Sequence, residues 1–153
     1  MQVSVFAIGK KMPEWVNKGA EDYIKRLPGR WKFQIREFAQ GQASSSDVAM
    51  GKEAGMLLDA IPDKSHVVAL DNRGSAWSTS QLSSQLGHWQ TLGKNITLII
   101  GGPDGLHDTV RKRADQQWSL SPLTFPHPLV RVILVEQLYR AQSLLDNHPY
   151  HRA

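Results

Sequence analysis

The sequence predicts a single α/β domain built on a mostly parallel sheet. Three observations carry that prediction. Residues 3–8, 67–70 and 96–100 are short, nearly uniform apolar runs, the pattern of strands covered on both faces. Segments with helical apolar spacing alternate with them. The 153 residues contain no internal repeat and no linker long enough to divide them, so one core is expected.

Residues 3–8 are β-branched and aromatic and close on Gly9, which reads as a first buried strand. Residues 12–27 read as a helix, with Pro13 near its start and Trp15, Val16, Ala20, Tyr23, Ile24 and Leu27 as its apolar stripe. Pro28-Gly29 ends it. Trp31, Phe33 and Ile35 then alternate with Lys32, Gln34 and Arg36, which predicts a strand with one buried face ending near Phe38. Residues 40–47 are polar and rich in glycine and serine, a flexible connection. A helix is expected over 48–61, weakened by Gly51 and Gly55.

The strand at 67–70 runs into Asp71-Asn72-Arg73-Gly74, a polar turn at its carboxyl end. Ser80 is placed to cap a helix over 81–91, which Gly93 terminates. The strand at 96–100 leads into Gly101-Gly102-Pro103-Asp104-Gly105, and a helix is expected over 107–117. Residues 119–125 precede Pro126 and Pro128 and contain Pro122, so they form a stiff extended loop. The last helix, 129–145, follows Pro128 at a position where a first turn tolerates proline. It is apolar on most of its circumference, so it should be covered on more than one side, with a second subunit as the expected extra cover. Glu136 and Arg140 are spaced to pair on its remaining face.

Composition narrows the function classes. No apolar run approaches the length of a bilayer span. The opening MQVSVFAIGKKMPEW has no basic region before its apolar stretch and no cleavage pattern, so it reads as a strand and not a leader. The absence of cysteine excludes disulfides, thiolate metal sites and cysteine nucleophiles, and fits a reducing compartment. A formal net charge of +4 permits a nucleic-acid partner without requiring one.

Several stretches are able to carry chemistry. The glycine loop after the fourth strand lacks both the P-loop ending and the dinucleotide fingerprint, so on its own it reads as a tight turn. Together with the turn after Leu70 and the loop 120–125 it gains another meaning, since ligands of parallel α/β sheets bind at the carboxyl ends of strands. His127 is either a capping or packing histidine, or a group that positions substrate or moves a proton. The ending NHPYHR is either a frayed tail or a segment suited to RNA. His148 and His151 lack the matched ligands a metal would need. The dispersed cations, among them Lys10, Lys11, Lys25, Arg26, Arg30, Lys32 and Arg111 to Arg113, are solvated faces or a phosphate footprint.

AIGKKMPEWV, LIIGGPDGL, LSPLTFPHPLVRVILVEQLYRA and the final NHPYHR resemble the small bacterial SPOUT-class methyltransferases of large-subunit ribosomal RNA, the H family. The similarity spans the whole chain. It implies S-adenosyl-L-methionine as methyl donor, a C-terminal trefoil knot, a homodimer and methylation of ring nitrogen 3 of a pseudouridine in 23S ribosomal RNA, free or in the assembled ribosome. It implies a cytoplasmic enzyme that needs no metal and no membrane. It places cofactor contacts at Leu70, Gly101, Leu120, Ser121, Pro122, Leu123, Thr124 and Phe125, and catalytic roles at His127, Tyr150, His151 and Arg152. Two alternatives stay open: a related enzyme acting on another RNA such as transfer RNA, and a non-catalytic RNA-binding protein.

Overall fold

The computed structural model describes residues 1–150. Five strands, β1 (Gln2–Ile8), β2 (Lys32–Phe38), β3 (His66–Ala76), β4 (Ile96–Ile100) and β5 (Gln116–Ser119), form one sheet in the order β2-β1-β4-β3-β5. Every pairing is parallel. Five helices connect them: α1 (Glu14–Ile24), α2 (Ser46–Ala60), α3 (Thr79–Thr91), α4 (Asp108–Arg113) and α5 (His127–Leu145).

The helices cover both faces of the sheet, as a parallel sheet requires. Alternate residues of β1 divide between two cores. Val3, Val5 and Ala7 pack with Leu82, Leu86, Trp89, Leu134 and Leu138, beneath α3 and α5. Phe6 and Ile8 pack with Ala54, Leu57 and Val110, beneath α2 and α4. The period of two in β-strand side chains is what sorts them.

Four expectations need correction. The segment 107–117 is not one helix: α4 stops at Arg113, and Gln116–Ser119 is a fifth strand. Its polar start hides it, since Gln116 and Gln117 are only half-buried while Trp118 and Ser119 are buried. The Asp71–Gly74 turn does not end β3. Leu70 and Ser75 both pair with Trp118, so residues 71–74 loop out of the ladder and the strand resumes beyond them. Gly74 allows this close passage, because a Cβ there would lie 2.5 Å from the carbonyl carbon of Gln117. The cap of α3 is Ser78, not Ser80: its Oγ accepts from Gln81 N at 3.1 Å, and Gln81 Oε1 accepts from Ser78 N at 2.8 Å. This reciprocal box starts the helix two residues earlier. Likewise α5 begins at His127, two residues before the expected start.

The apolar excess of α5 is partly absorbed within the chain. Leu134, Val135, Leu138 and Ala141 are buried. Val132 faces α1, where a Cβ on Gly19 would lie 3.5 Å from its Cγ1. On the other flank Ser83 Oγ donates to Ala141 O at 3.0 Å, and Gln90 Nε2 to Gln142 Oε1 at 2.6 Å. Leu129, Val130, Val132 and Ile133 remain half-buried. Glu136 and Arg140 pair as expected, at 2.6 Å.

Candidate functional site at the carboxyl edge of the sheet

Since all five strands run the same way, their carboxyl ends lie along one edge. Three connections from that edge enclose a cavity of about 380 Å3. They are the excursion after Leu70, the Gly101–Gly105 loop after β4, and the loop from Leu120 to Phe125 after β5. Leu70, Gly101, Leu120, Ser121, Pro122, Leu123, Thr124, Phe125 and His127, all singled out in the sequence, line this one space. Its volume falls in the range of small-molecule sites, about 300–1,000 Å3.

Each wall is held by specific contacts. Gly101 folds against its own loop: a Cβ there would meet the Gly105 carbonyl carbon at 2.7 Å and Leu106 Cγ at 3.0 Å. Ser121 Oγ accepts from Leu123 N at 3.0 Å, and Ser119 Oγ donates to Ser121 O at 3.2 Å. These local bonds shape a loop whose prolines already exclude helix. Leu123 is 71% exposed, the most exposed large apolar side chain among the described residues.

A charged network that sequence reading missed fixes the β3 side. Asp71 is buried, and its carboxylate accepts from Arg73 N and Nε at 2.9 Å and from Arg73 NH2 at 3.0 Å. Arg111 stands 4.0 Å from it. Burial, the largest single influence, pushes the Asp71 carboxyl up. The hydrogen bonds from Arg73, with the charges of Arg73 and Arg111, outweigh it and hold the group below its ordinary 3.8. The available signal was an acid two residues before an arginine within one short turn, which reads equally as a plain solvated turn. Residues 71–74 therefore form a wall braced from behind.

His127 opens α5 at the floor of the cavity. Its Nε2 is buried and makes no hydrogen bond of good geometry. Burial pulls its pKa below the ordinary 6.5, the Arg131 charge adds to this, and the carbonyls of Ile8 and Gly101 oppose it. The lowered pKa favours the neutral form of the ring. One turn on, buried Arg131 spans two strand ends, donating from NH1 to Glu37 Oε2 at 2.5 Å and from NH2 to Gly9 O at 2.8 Å. It ties β1 and β2 to the helix that carries His127.

The tail candidates lie elsewhere. Tyr150 Oη donates to Glu136 Oε1 at 3.0 Å, and its ring lies 4.6 Å from that of Tyr139 and 4.9 Å from Arg140 Cζ. Glu136 is nine residues beyond His127, roughly 13 Å along the helix axis. Tyr150 is therefore not brought to the cavity of its own chain. His151 and Arg152 fall outside the described residues.

The cavity has the make-up of a small-molecule site. Leu70, Ile100, Leu120 and Val130 supply apolar walls, and backbone-rich loops supply polar groups. Two of the buried side-chain nitrogens without a hydrogen bond, Trp118 Nε1 and His127 Nε2, belong to its lining residues. Among the described residues no group of three metal-ligating side chains occurs, and no helix is long and apolar enough to cross a membrane.

Comparison with known proteins agrees with this arrangement. A family model described as "Predicted SPOUT methyltransferase" matches residues 1–151. The chain is 48% identical to Ribosomal RNA large subunit methyltransferase H of Methylococcus capsulatus, covering 99% of this chain and 100% of that one. It is 47% identical to the protein of the same name from Hahella chejuensis, covering 99% of each. Among solved structures, a probable methylase family protein from Haemophilus influenzae superposes with a TM-score of 0.59 over 99% of this chain and 70% of that one, at 8% identity. A protein from a study of 2-OH methylation of C/U34 on tRNA superposes at 0.50, with 17% identity, over 96% of this chain and 98% of that one. These two share the fold.

Proposed function

This chain belongs to the SPOUT methyltransferase family, and on that premise we propose that it methylates ring nitrogen 3 of a pseudouridine in 23S large-subunit ribosomal RNA. The observation that carries the substrate is the near-complete match, at 45–48% identity, to proteins named for large-subunit ribosomal RNA. The likeness to the tRNA-modifying structure, at 17% identity, extends to the fold and supports no choice of RNA.

In this reading the cavity takes S-adenosyl-L-methionine, which supplies an electrophilic methyl on a sulfonium. Leu70, Gly101, Leu120, Ser121, Pro122, Leu123, Thr124 and Phe125 would hold it. The donor would supply the methyl with its own thioether as leaving group, and the imide proton must leave nitrogen 3 of the RNA base. His127, which lines the cavity with its neutral form favoured, is suited to receive that proton directly or through the base's own hydrogen bonds. No step requires a metal. Exclusion of water by the loop 120–125 would favour transfer to RNA over loss to solvent.

Assembly follows the same reading. The chain works as a homodimer joined through α5, whose Leu129, Val132 and Ile133 are only half-covered in one chain. Tyr150, His151 and Arg152 then serve the partner subunit's cavity, which agrees with the position of Tyr150 far along its own α5. Arg152 would grip phosphate or the charge developing on the base. We take the segment after β5 to be threaded as a trefoil knot. The order β4-β3-β5, with α5 returning to pack on α1 and α3, is compatible with that path. All 153 residues constitute one such domain, acting in the cytoplasm where its RNA is found.

Methyl transfer from labelled donor decides the matter. Intact ribosomes, free 23S ribosomal RNA and transfer RNA are offered separately, and the modified nucleotide is mapped. Labelling of a pseudouridine at nitrogen 3 in the ribosomal samples is expected. Donor binding by calorimetry without transfer to any RNA would instead point to a binding protein.

A further inference from the structure

The cations of this chain are not equally free. Lys18 pairs with Glu14, Lys25 and Arg26 with Asp22, Arg73 with Asp71, Lys112 with Asp108, Arg113 with Asp115 and Arg131 with Glu37. Lys52 donates to Gln42 O, and Arg36 lies over the rings of Phe6 and Phe38. Among the described residues, Lys10, Lys11, Arg30, Lys32, Lys64 and Lys94 have side chains with no such partner.

Their placement divides them. Arg30, Lys32, Lys64 and Lys94 lie where the chain enters β2, β3 and β4, at the amino edge of the sheet. Lys10 and Lys11 alone lie at the carboxyl edge, between β1 and α1, on the side of the cavity. Both are exposed. They follow Gly9, where a Cβ would lie 3.5 Å from His127 Nε2 and 3.7 Å from Arg131 NH2. Two Cα steps of about 3.8 Å put Lys11 within roughly 8 Å of Gly9 along the backbone.

Lys64 before β3 shares the left-handed backbone of Lys11, at φ 61 and φ 60, so position and not conformation sets the Lys10–Lys11 turn apart. Here the turn is anchored by Gly9 N donating to Phe38 O at 2.7 Å and by Gly9 O accepting from Arg131. Four residues on, in the first turn of α1, Trp15 is 57% exposed and, among the described residues, stacks on no other aromatic ring. An uncovered indole four residues after a pair of unpaired lysines has the composition of a single-stranded nucleic-acid platform. Cations track the backbone, and the aromatic face takes a base.

We propose that Lys10, Lys11 and Trp15 form an RNA-docking edge of the active site, with the lysines on phosphates and Trp15 stacked on an unpaired base flanking the target nucleotide. This rests on the reading of the chain as an RNA methyltransferase. Unpaired charge selects a polyanion over a second protein chain, whose apolar contacts would not need two free lysines.

The test uses the full-length protein and large ribosomal subunits. Lys10→Ala/Lys11→Ala should raise KM for the subunit and leave the S-adenosylmethionine dissociation constant and saturating kcat unchanged. The slope of log KM against log salt should become shallower by about 1.4–1.8, the release expected for two phosphate contacts. Trp15→Ala should raise KM about five- to 150-fold, as loss of one stacked base does, and Trp15→Phe should recover most of it. An unchanged salt slope in the lysine variant would overturn the phosphate contacts. A Trp15→Ala protein that changes its sedimentation while its KM stays normal assigns the ring to a protein interface and overturns its place on RNA. If the unaltered protein methylates no ribosomal RNA, the underlying reading fails and not the docking edge alone.

Discussion

The hydroxyl of Tyr150 donates to Oε1 of Glu136 at 3.0 Å, and this bond draws the described end of the chain back along α5. Burial and the neighbouring Glu136 push the Tyr150 pKa from 10 up to about 12. A folded pKa above the unfolded one means that the contribution is complete below pH 10 and is lost as the pH rises toward 12. Absorbance titration should show one tyrosine ionising late, and Tyr150→Phe should remove that late phase. The variant should lose about 0.5–1.5 kcal/mol of stability in denaturant unfolding at most, the worth of one hydrogen bond.

His127 gives the opposite dependence. Its folded pKa lies below the unfolded 6.5, so its contribution is complete above pH 6.5 and is lost as the pH falls through the lower folded value. Midpoints of thermal unfolding should fall on acidification through this window, and less so for His127→Gln. Methyl transfer by the unaltered protein should decline over the same acidic range. A pH–rate profile unchanged in His127→Gln would remove His127 from proton handling.

Gly101 sits against its own loop more tightly than a ligand-facing glycine needs to. Because a Cβ would meet the Gly105 carbonyl carbon at 2.7 Å, even Gly101→Ala must open the loop. We expect a cost of about 1–3 kcal/mol together with weakened S-adenosylmethionine binding. Gly55 is the control: exposed in α2 with nothing within 4 Å, its change to Ala should stabilise the protein by about 0.5–1 kcal/mol and leave donor binding intact. Calorimetric titration and thermal melts of both variants separate the two effects.

Probing the proposed dimer requires residues that are not core. Leu134 and Leu138 are 0% and 1% exposed within one chain, so charging either would test the fold. Ile133 is half-buried, and Ile133→Glu should yield a folded chain that sediments as a monomer at micromolar concentration. A folded variant that remains dimeric would move the interface away from this face of α5.

Removing residues 150–153 should leave a folded protein that still binds S-adenosylmethionine and no longer methylates RNA. The deletion loses the Tyr150–Glu136 bond but no core side chain. Full activity after truncation, with binding and melting both measured, would return the ending to a tail without a role.

The sequence by itself determined the parts of this protein that local chemistry controls. Apolar periodicity placed four of five strands and four of five helices, because burial on two faces leaves a continuous run and burial on one leaves a period of two or 3.6. It pointed to the cavity loops through residues of unusual backbone: Gly101 with extra conformational freedom, Pro122 and Pro126 with little. Tertiary structure decided what depends on neighbours distant in the chain. β5 becomes a strand because Gln116 and Trp118 find partners on β3, and the Gln116 side chain is satisfied by His66, Trp89 and Gln85, none of which local pattern reveals. Asp71, bonded locally to Arg73, gained its second cation only when the fold brought Arg111 to 4.0 Å. Lys10 and Lys11 were distinguished from the other unpaired cations only by the edge of the sheet they occupy. Periodicity reports how much of a residue is covered; which residue covers it is fixed by how distant segments meet.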